Sequence, residues 1–288
     1  MANEITFARL EATYSYDYRL MADALIDALY ANSNVLQFLR QRSIADFASD
    51  SERFPVVPKL AASAIVDGAD LTNTPFEPTQ VTLTVGEVGV LLTLTDLART
   101  SNIMDMAHYG AQAGRAVAEK LTADITALGA GFSNTVGTSG SNLSEANYRA
   151  AITQLAANDV PGPYASFLHP QQEEDLVGSI GSVITAAATS GDSARATTND
   201  LGASFGTVGQ LYNTFIVTNS TVPTANAGAD RAGAMVAVGR ALGYVEKWAI
   251  RPEMERDASL RGSEIVVTAA YAVGELDDIS GVAIITDA

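Results

Sequence analysis

The sequence of 288 residues contains no cysteine. A disulfide framework, a thiolate metal site and a cysteine nucleophile are therefore excluded. Lysine is scarce: only Lys59, Lys120 and Lys247 occur, and the other basic residues are arginines. Histidine is limited to His108 and His169, and tryptophan to Trp248. Two isolated histidines without nearby carboxylates do not make a metal site, so no metal or other cofactor is expected. No basic stretch followed by an apolar run opens the chain, so no signal peptide is read there. No apolar run approaches the ~20 residues that span a bilayer, and no membrane partner is expected.

Negative charge is what the chain has in excess, with a formal net charge of -16. Gripping phosphates requires a basic surface, because affinity comes from counterion release. Nucleic acid should be contacted only weakly unless the arginines gather on one face. Hydrophobic residues make up 47% of the chain, enough for a sizeable core in one large domain or two modest ones.

The opening segment suits an extended arm. From Leu20, the apolar residues Leu20, Ala24, Ile26, Leu29 and Tyr30 fit one helix face. "FPVVPKL" then breaks helix with Pro55 and Pro58. In "QVTLTVGEVGVLLTLT", Val81, Leu83 and Val85 alternate with Thr82 and Thr84, and Val90, Leu92 and Leu94 form a second alternating set with Thr93 and Thr95 beside it. This predicts a strand or a pair, with Gly86 and Gly89 as a kink or bulge. Ala64 to Val66 is the expected return strand. Asp67 to Gln80, with Pro75 and Pro78, is long for a hairpin loop and predicts a protruding flap.

A long helix follows from Met104 to Leu128, ~37 Å at ~1.5 Å per residue. Thr100 or Ser101 caps it. Ile103, Met106, Gly110, Gly114, Val117, Leu121, Ile125 and Leu128 form one stripe. Gly129 and Gly131 end it. The small residues around Gly110 and Gly114 let another backbone approach closely. Beyond a Gly/Ser/Thr linker, the pattern predicts helices at Leu143 to Ala157 and Gln171 to Ala188. Strands are expected at Tyr164 to Leu168, Tyr212 to Thr218 and Gly233 to Val238. The loop from Thr189 to Ser204 is polar. The tail from Ile250 reads as three strands returning to the long helix, and the class is α+β.

Catalytic motifs fail on context. "GASFG" matches a nucleophile elbow at Ser204, but that arrangement needs a later histidine, and none follows His169. "GAGFSN" starts like a dinucleotide fingerprint, yet it follows a helix rather than a strand. "DGAD" lacks the terminal glutamate of a calcium loop. "QQEEDL" puts Glu173 and Glu174 in a first helical turn, where they complement the dipole. In "RPEMERDASLR", Glu253, Glu255 and Asp257 fall on one side of a strand. No lysine or histidine accompanies them, so they read as an exposed face that meets a neighbour's arginines. No enzymatic activity is expected.

The order of arm, flap, long helix, separate α/β unit and closing strands resembles the tailed-bacteriophage major capsid proteins of the Hong Kong 97-like fold. The phrases that carry it are "VTLTVGEVGVLLTLTDLARTSNIMDMAHYGAQAGRAVAEKLTADITAL", "SFLHPQQEEDL", "GQLYNTFIVTNSTVP" and "YVEKWAIRPEMERDASLRGSEIVVTAAYAVGELDDISGVAIITD". The resemblance implies an N-terminal arm (1–52), an extended two-stranded loop (53–95), a peripheral domain with the long spine helix (96–142 and 246–288) and a mixed α/β axial domain (143–245). It also implies self-assembly into pentamers and hexamers of an icosahedral head around double-stranded DNA, in a virion assembled in the host cytoplasm. Portal and scaffolding proteins are implied partners, and a cement or decoration protein is compatible. Because the arm begins at Met1, scaffolding is expected to be separate or dispensed with.

Inter-subunit contacts are expected at Leu71, Phe76 and Glu77 of the flap and at Glu253, Glu255 and Asp257. Some relatives cross-link their subunits through a loop lysine. The tip "DGADLTNTPFEPTQ" has none, so no cross-link is expected. Two alternatives stay open: an encapsulin-type compartment shell and a monomeric α/β enzyme.

Overall fold

The computed structural model describes residues 34–57, 60, 62, 64, 77–97, 106–189 and 208–287. The predicted caps Thr100 and Ser101 and the helix face from Leu20 to Tyr30 lie outside the described residues. In chain order the elements are β1 (Arg40–Ser43), β2 (Ser51–Val56), β3 (Thr79–Thr84), β4 (Gly86–Thr95), α1 (Met106–Leu128), β5 (Thr135–Val136), α2 (Glu145–Ala157), β6 (Tyr164–Leu168) and α3 (Pro170–Thr189). They continue with β7 (Val208–Leu211), β8 (Thr214–Thr218), β9 (Thr224–Ala225), β10 (Asp230–Ala237), β11 (Leu242–Asp257), β12 (Gly262–Glu275) and β13 (Gly281–Asp287). The mixture is α+β, as the sequence predicts.

The first sheet has the order β1-β11-β12-β4. Its inner face is written by alternation: Val88, Val90, Leu92 and Leu94 of β4 pack inward beside Ile265, Val267 and Ala269 of β12. Helix α1 covers this face. Gly110, Ala113, Gly114, Val117, Leu121 and Ile125 are buried along one stripe, so the predicted small-residue face is the one that meets the sheet. The Tyr271 hydroxyl donates to Asp124 Oδ2 at 2.9 Å and ties β12 to α1. At its C-terminus α1 tightens into a 3-10 turn, Gly129–Gly131. A Cβ on Gly129 would stand 2.5 Å from that of Ala234, so only glycine lets the helix end against β10.

The second sheet has the order β5-β13-β10-β6-β8-β7, with β9 on the start of β10. One face is covered by α2 and α3 around Tyr148, Leu155, Leu176, Ile216 and Met235. The opposite face, with Phe167, Val217, Ala234 and Ala283, continues into the core under α1.

Several expectations need correction. Within the expected arm, residues 34–44 pack on the core. Val35, Phe38, Leu39 and Ile44 are buried, and Arg40–Ser43 pairs in parallel with β11. Apolar side chains on a short turn found a gap between the sheets, where burial outweighs extension. The partner of β3 is Ser51–Val56, not Ala64 to Val66. Ala64 lies outside any strand, and Ile65 and Val66 lie outside the described residues. Of the two expected outcomes for the Val81 to Thr95 run, a strand or a pair, the structure has the pair: two strands in two sheets, switching at Val85. The β4–β12 register is unbroken across Gly89, and the irregularities fall on β11 between Glu246 and Arg251. Tyr212 and Asn213 are a turn with positive φ (50 and 61) rather than strand, so that region is a β7–β8 hairpin. Finally, only β11 and β12 of the tail return to α1. β13 inserts between β5 and β10 of the second sheet. Val282, Ala283 and Ile284 are all fully buried, which suits a central strand covered on both faces.

Candidate inter-subunit surface

Beyond the β2–β3 ribbon, β4, β12 and β11 share one face, opposite α1, that is uncovered among the described residues. The register aligns Leu91, Val266 and Glu253 in one row and Thr93, Glu264 and Glu255 in the next. Glu253 and Glu255 are exposed, as the alternation of "RPEMERD" predicts. Leu91 is 58% exposed, high for a leucine within a ten-residue strand. Arg251 lies 4.8 Å from the centroid of the Trp248 ring and 3.5 Å from Glu253 Oε1. The Trp248 indole Nε1 is buried without a hydrogen-bond partner among the described residues.

Asp257 shares the parity of the two glutamates but is engaged within its own chain. It accepts from the Ser259 N–H and hydroxyl, each at 2.7 Å, and from the Leu260 N–H at 3.2 Å. The Ser259 hydroxyl and these backbone donors hold its carboxyl below the usual range. It shapes the β11–β12 turn. Arg256 clamps the tip with a bidentate pair to Asp96 at 2.8 and 2.7 Å. Glu77 is exposed just before β3, whereas Leu71 and Phe76 lie outside the described residues.

The opposite end of β11 carries a feature that sequence reading missed. The chain crosses between the sheets near Gly129–Asn134, Val238–Ala241 and Leu276–Ser280, and these crossings meet. The Leu276 N–H donates to Ala241 O at 2.8 Å, Gly239 N–H to Phe38 O at 2.9 Å, and Ser133 N–H to Asp278 Oδ1 at 2.8 Å. Beside them opens a cleft of about 450 Å³ whose lining includes Arg40, Arg240, Phe54, Val57, Leu276 and Asp277. The Arg40 guanidinium lies 5.7 Å from the Phe54 ring centroid. Arg40 and Arg240 are far apart in sequence, and no periodicity announces their meeting.

Of the sites with catalytic overtones, His169 and "GAGFSN" lie among the described residues. His169 Nδ1 accepts from the Gln171 N–H at 3.3 Å at the start of α3. Burial, and secondarily Arg231, holds its pKa down. The "GAGFSN" segment is the helix terminator already described, and Ser204 lies outside the described residues. Among the described residues no cluster of three or more potential ligands could hold a metal ion. None of the described helices is long and apolar enough to cross a membrane.

No protein-family model matches the chain, and no curated protein matches it in sequence. Solved structures do match. The acid-stable capsid of Helicobacter pylori bacteriophage KHP30 agrees with a TM-score of 0.66 at 12% identity, over 90% of this chain and 91% of that one. The capsid of cyanophage P-SCSP1u agrees at 0.63 and 16% identity, over 88% of both chains. A virus-like particle from Pyrococcus furiosus agrees at 0.62 and 11% identity, over 93% of this chain and 98% of that one. Agreement over nearly the whole length, with the same mixture of helix and strand, means that this chain has the Hong Kong 97-like capsid fold.

Proposed function

We propose that this chain is the major shell protein of a tailed-phage head, many copies of which close an icosahedral shell of pentamers and hexamers around double-stranded DNA. The observation that supports it most is the agreement with the KHP30 capsid over 90% of the chain. In this reading residues 53–95 form the extended loop over a neighbour. The α1 sheet is the peripheral domain, and residues 143–245, joined by β13, are the axial domain around which rings close. Leu71, Phe76, Glu77, Glu253 and Glu255 are contact positions. Each contact can be weak, because every subunit makes several. Portal and scaffolding proteins are the expected partners, with a cement protein where the shell needs one, and the virion assembles in the host cytoplasm. The net charge of -16 suits a lining that contacts DNA only weakly.

Micrographs and sedimentation of the purified protein test this. Closed particles are expected, and a single-subunit species at all concentrations would overturn it in favour of a monomeric protein. A second reading, a shell enclosing protein cargo, is favoured by the match to the virus-like particle over 98% of that chain. The nucleic-acid content of nuclease-treated native particles separates the two.

A further inference from the structure

The two ends of β11 carry surfaces that complement each other but cannot meet within one chain. At the far end, Glu255 and Glu264 stand directly opposite across β11 and β12. Like charges in that position repel. Neither has a cationic partner among the described residues, because the nearby Arg251 and Arg256 go to Glu253 and Asp96. Beside this pair lies exposed Leu91. At the near end, Arg40 and Arg240 flank the cleft and neither forms an ion pair among the described residues. Val57 on its wall is 64% exposed. The one carboxylate of the lining, Asp277, is occupied: it accepts from the Ile279 N–H at 3.3 Å and the Ser280 hydroxyl at 2.5 Å.

An unpaired acidic face with an exposed leucine thus stands at one end of the strand, and an unpaired arginine cleft with an exposed valine at the other. At about 3.3 Å per residue, the run from Arg240 to Glu255 spans roughly 50 Å. Only a second copy can bring them together. We infer that the β11–β12 tip face of one copy, Glu255 and Glu264 with Leu91, seats against the Arg40–Arg240 cleft of the next. The contact is head to tail, so repetition gives a ring or an extended lattice rather than an isolated two-fold dimer. The inference rests on the shell reading and assigns one of its contacts. The apolar half of the cleft favours a protein occupant over a phosphate backbone.

The absence of cysteine makes the test direct. E255C and R240C are combined in the full chain, which is assembled and oxidised. A disulfide needs Cα atoms within about 7 Å, so an intramolecular bond is ruled out. A ladder of linked multimers on a non-reducing gel is expected from the double variant and not from either single one. In a second arm, E255R/E264R and R40E/R240E should each lose assembly while keeping a cooperative melt, and the four changes together should recover it. Should either pair unfold, the cross-link decides. Particles that form from E255C/R240C without a ladder overturn this contact and leave the shell reading standing. A wild-type chain that never assembles overturns both. Normal particles from R40E/R240E that have lost DNA retention would mark the cleft as a phosphate site and also overturn the proposal.

Discussion

The Phe132 ring lies against the backbone of Gly281 so closely that a Cβ there would stand 2.2 to 2.4 Å from three ring atoms. Gly281 has φ -130, which any residue adopts. Contact alone therefore demands glycine. Phe132 is 2% exposed and has no room to withdraw. Gly281→Ala should cost about 1–3 kcal/mol of stability by overpacking. Phe132→Ala should cost more, and the double variant less than the sum, since the two changes share one space. Denaturant titration of the four proteins checks this, and additive losses would show that the contact does not carry the effect.

Phe38 packs its ring on the second sheet, while the strand that follows it, Arg40–Ser43, pairs with the first. Its ring centroid lies 6.3 Å from that of Phe167 and 5.5 Å from that of Phe215. Phe38→Ala should destabilise the subunit by about 3–5 kcal/mol, as for other buried phenylalanines. A change within about 1 kcal/mol, read from the same titration, would mean that residues 34–44 are an accessory arm after all.

Asp230 is buried and accepts from the Gly140 N–H at 3.0 Å and from the Asn226 amide. The Ser139 hydroxyl, then Asn226 and Gly140, hold its pKa below the usual value. A lowered folded-state pKa contributes stability that is present above the unfolded value and is lost as pH falls through the folded one. Asp230→Asn should therefore lower the melting temperature at neutral pH, because an amide N–H would face other donors. It should also flatten the acid limb of the stability profile below about pH 4. An unchanged acid limb would assign that limb to other carboxylates.

Deleting Leu71 to Pro78 should leave the melting temperature nearly unchanged, because the buried apolar clusters among the described residues are built from other segments. Assembly should fail. Normal particles from the deletion variant would show that the flap is dispensable.

No covalent cross-link is expected in the mature shell. A lysine nucleophile must lose its proton in a desolvated, reachable place. Lys120 pairs with Asp124 on α1. Lys247 Nζ donates to Ser49 O at 2.9 Å. Lys59 lies outside the described residues. Particles boiled in denaturant should run as a single band near 30 kDa. A ladder from untreated native particles would contradict this.

Period-based features were legible in the sequence. Tyr164–Leu168 is a strand at the predicted bounds, and α1 ends at Leu128 as its glycines indicate. Glu253 and Glu255 face outward because a side-chain period of two leaves them no alternative on a sheet covered on one side. These properties are local: the next few residues decide them. Partnership is not local. That Phe38 packs on the second sheet, that β13 leaves its neighbours to enter the second sheet, and that Arg40 meets Arg240 were decided by tertiary structure. Each joins segments on the order of 50–200 residues apart, and local patterning names no partner at that range. The sequence alone determined which surfaces could be buried, and chain packing determined which of them met.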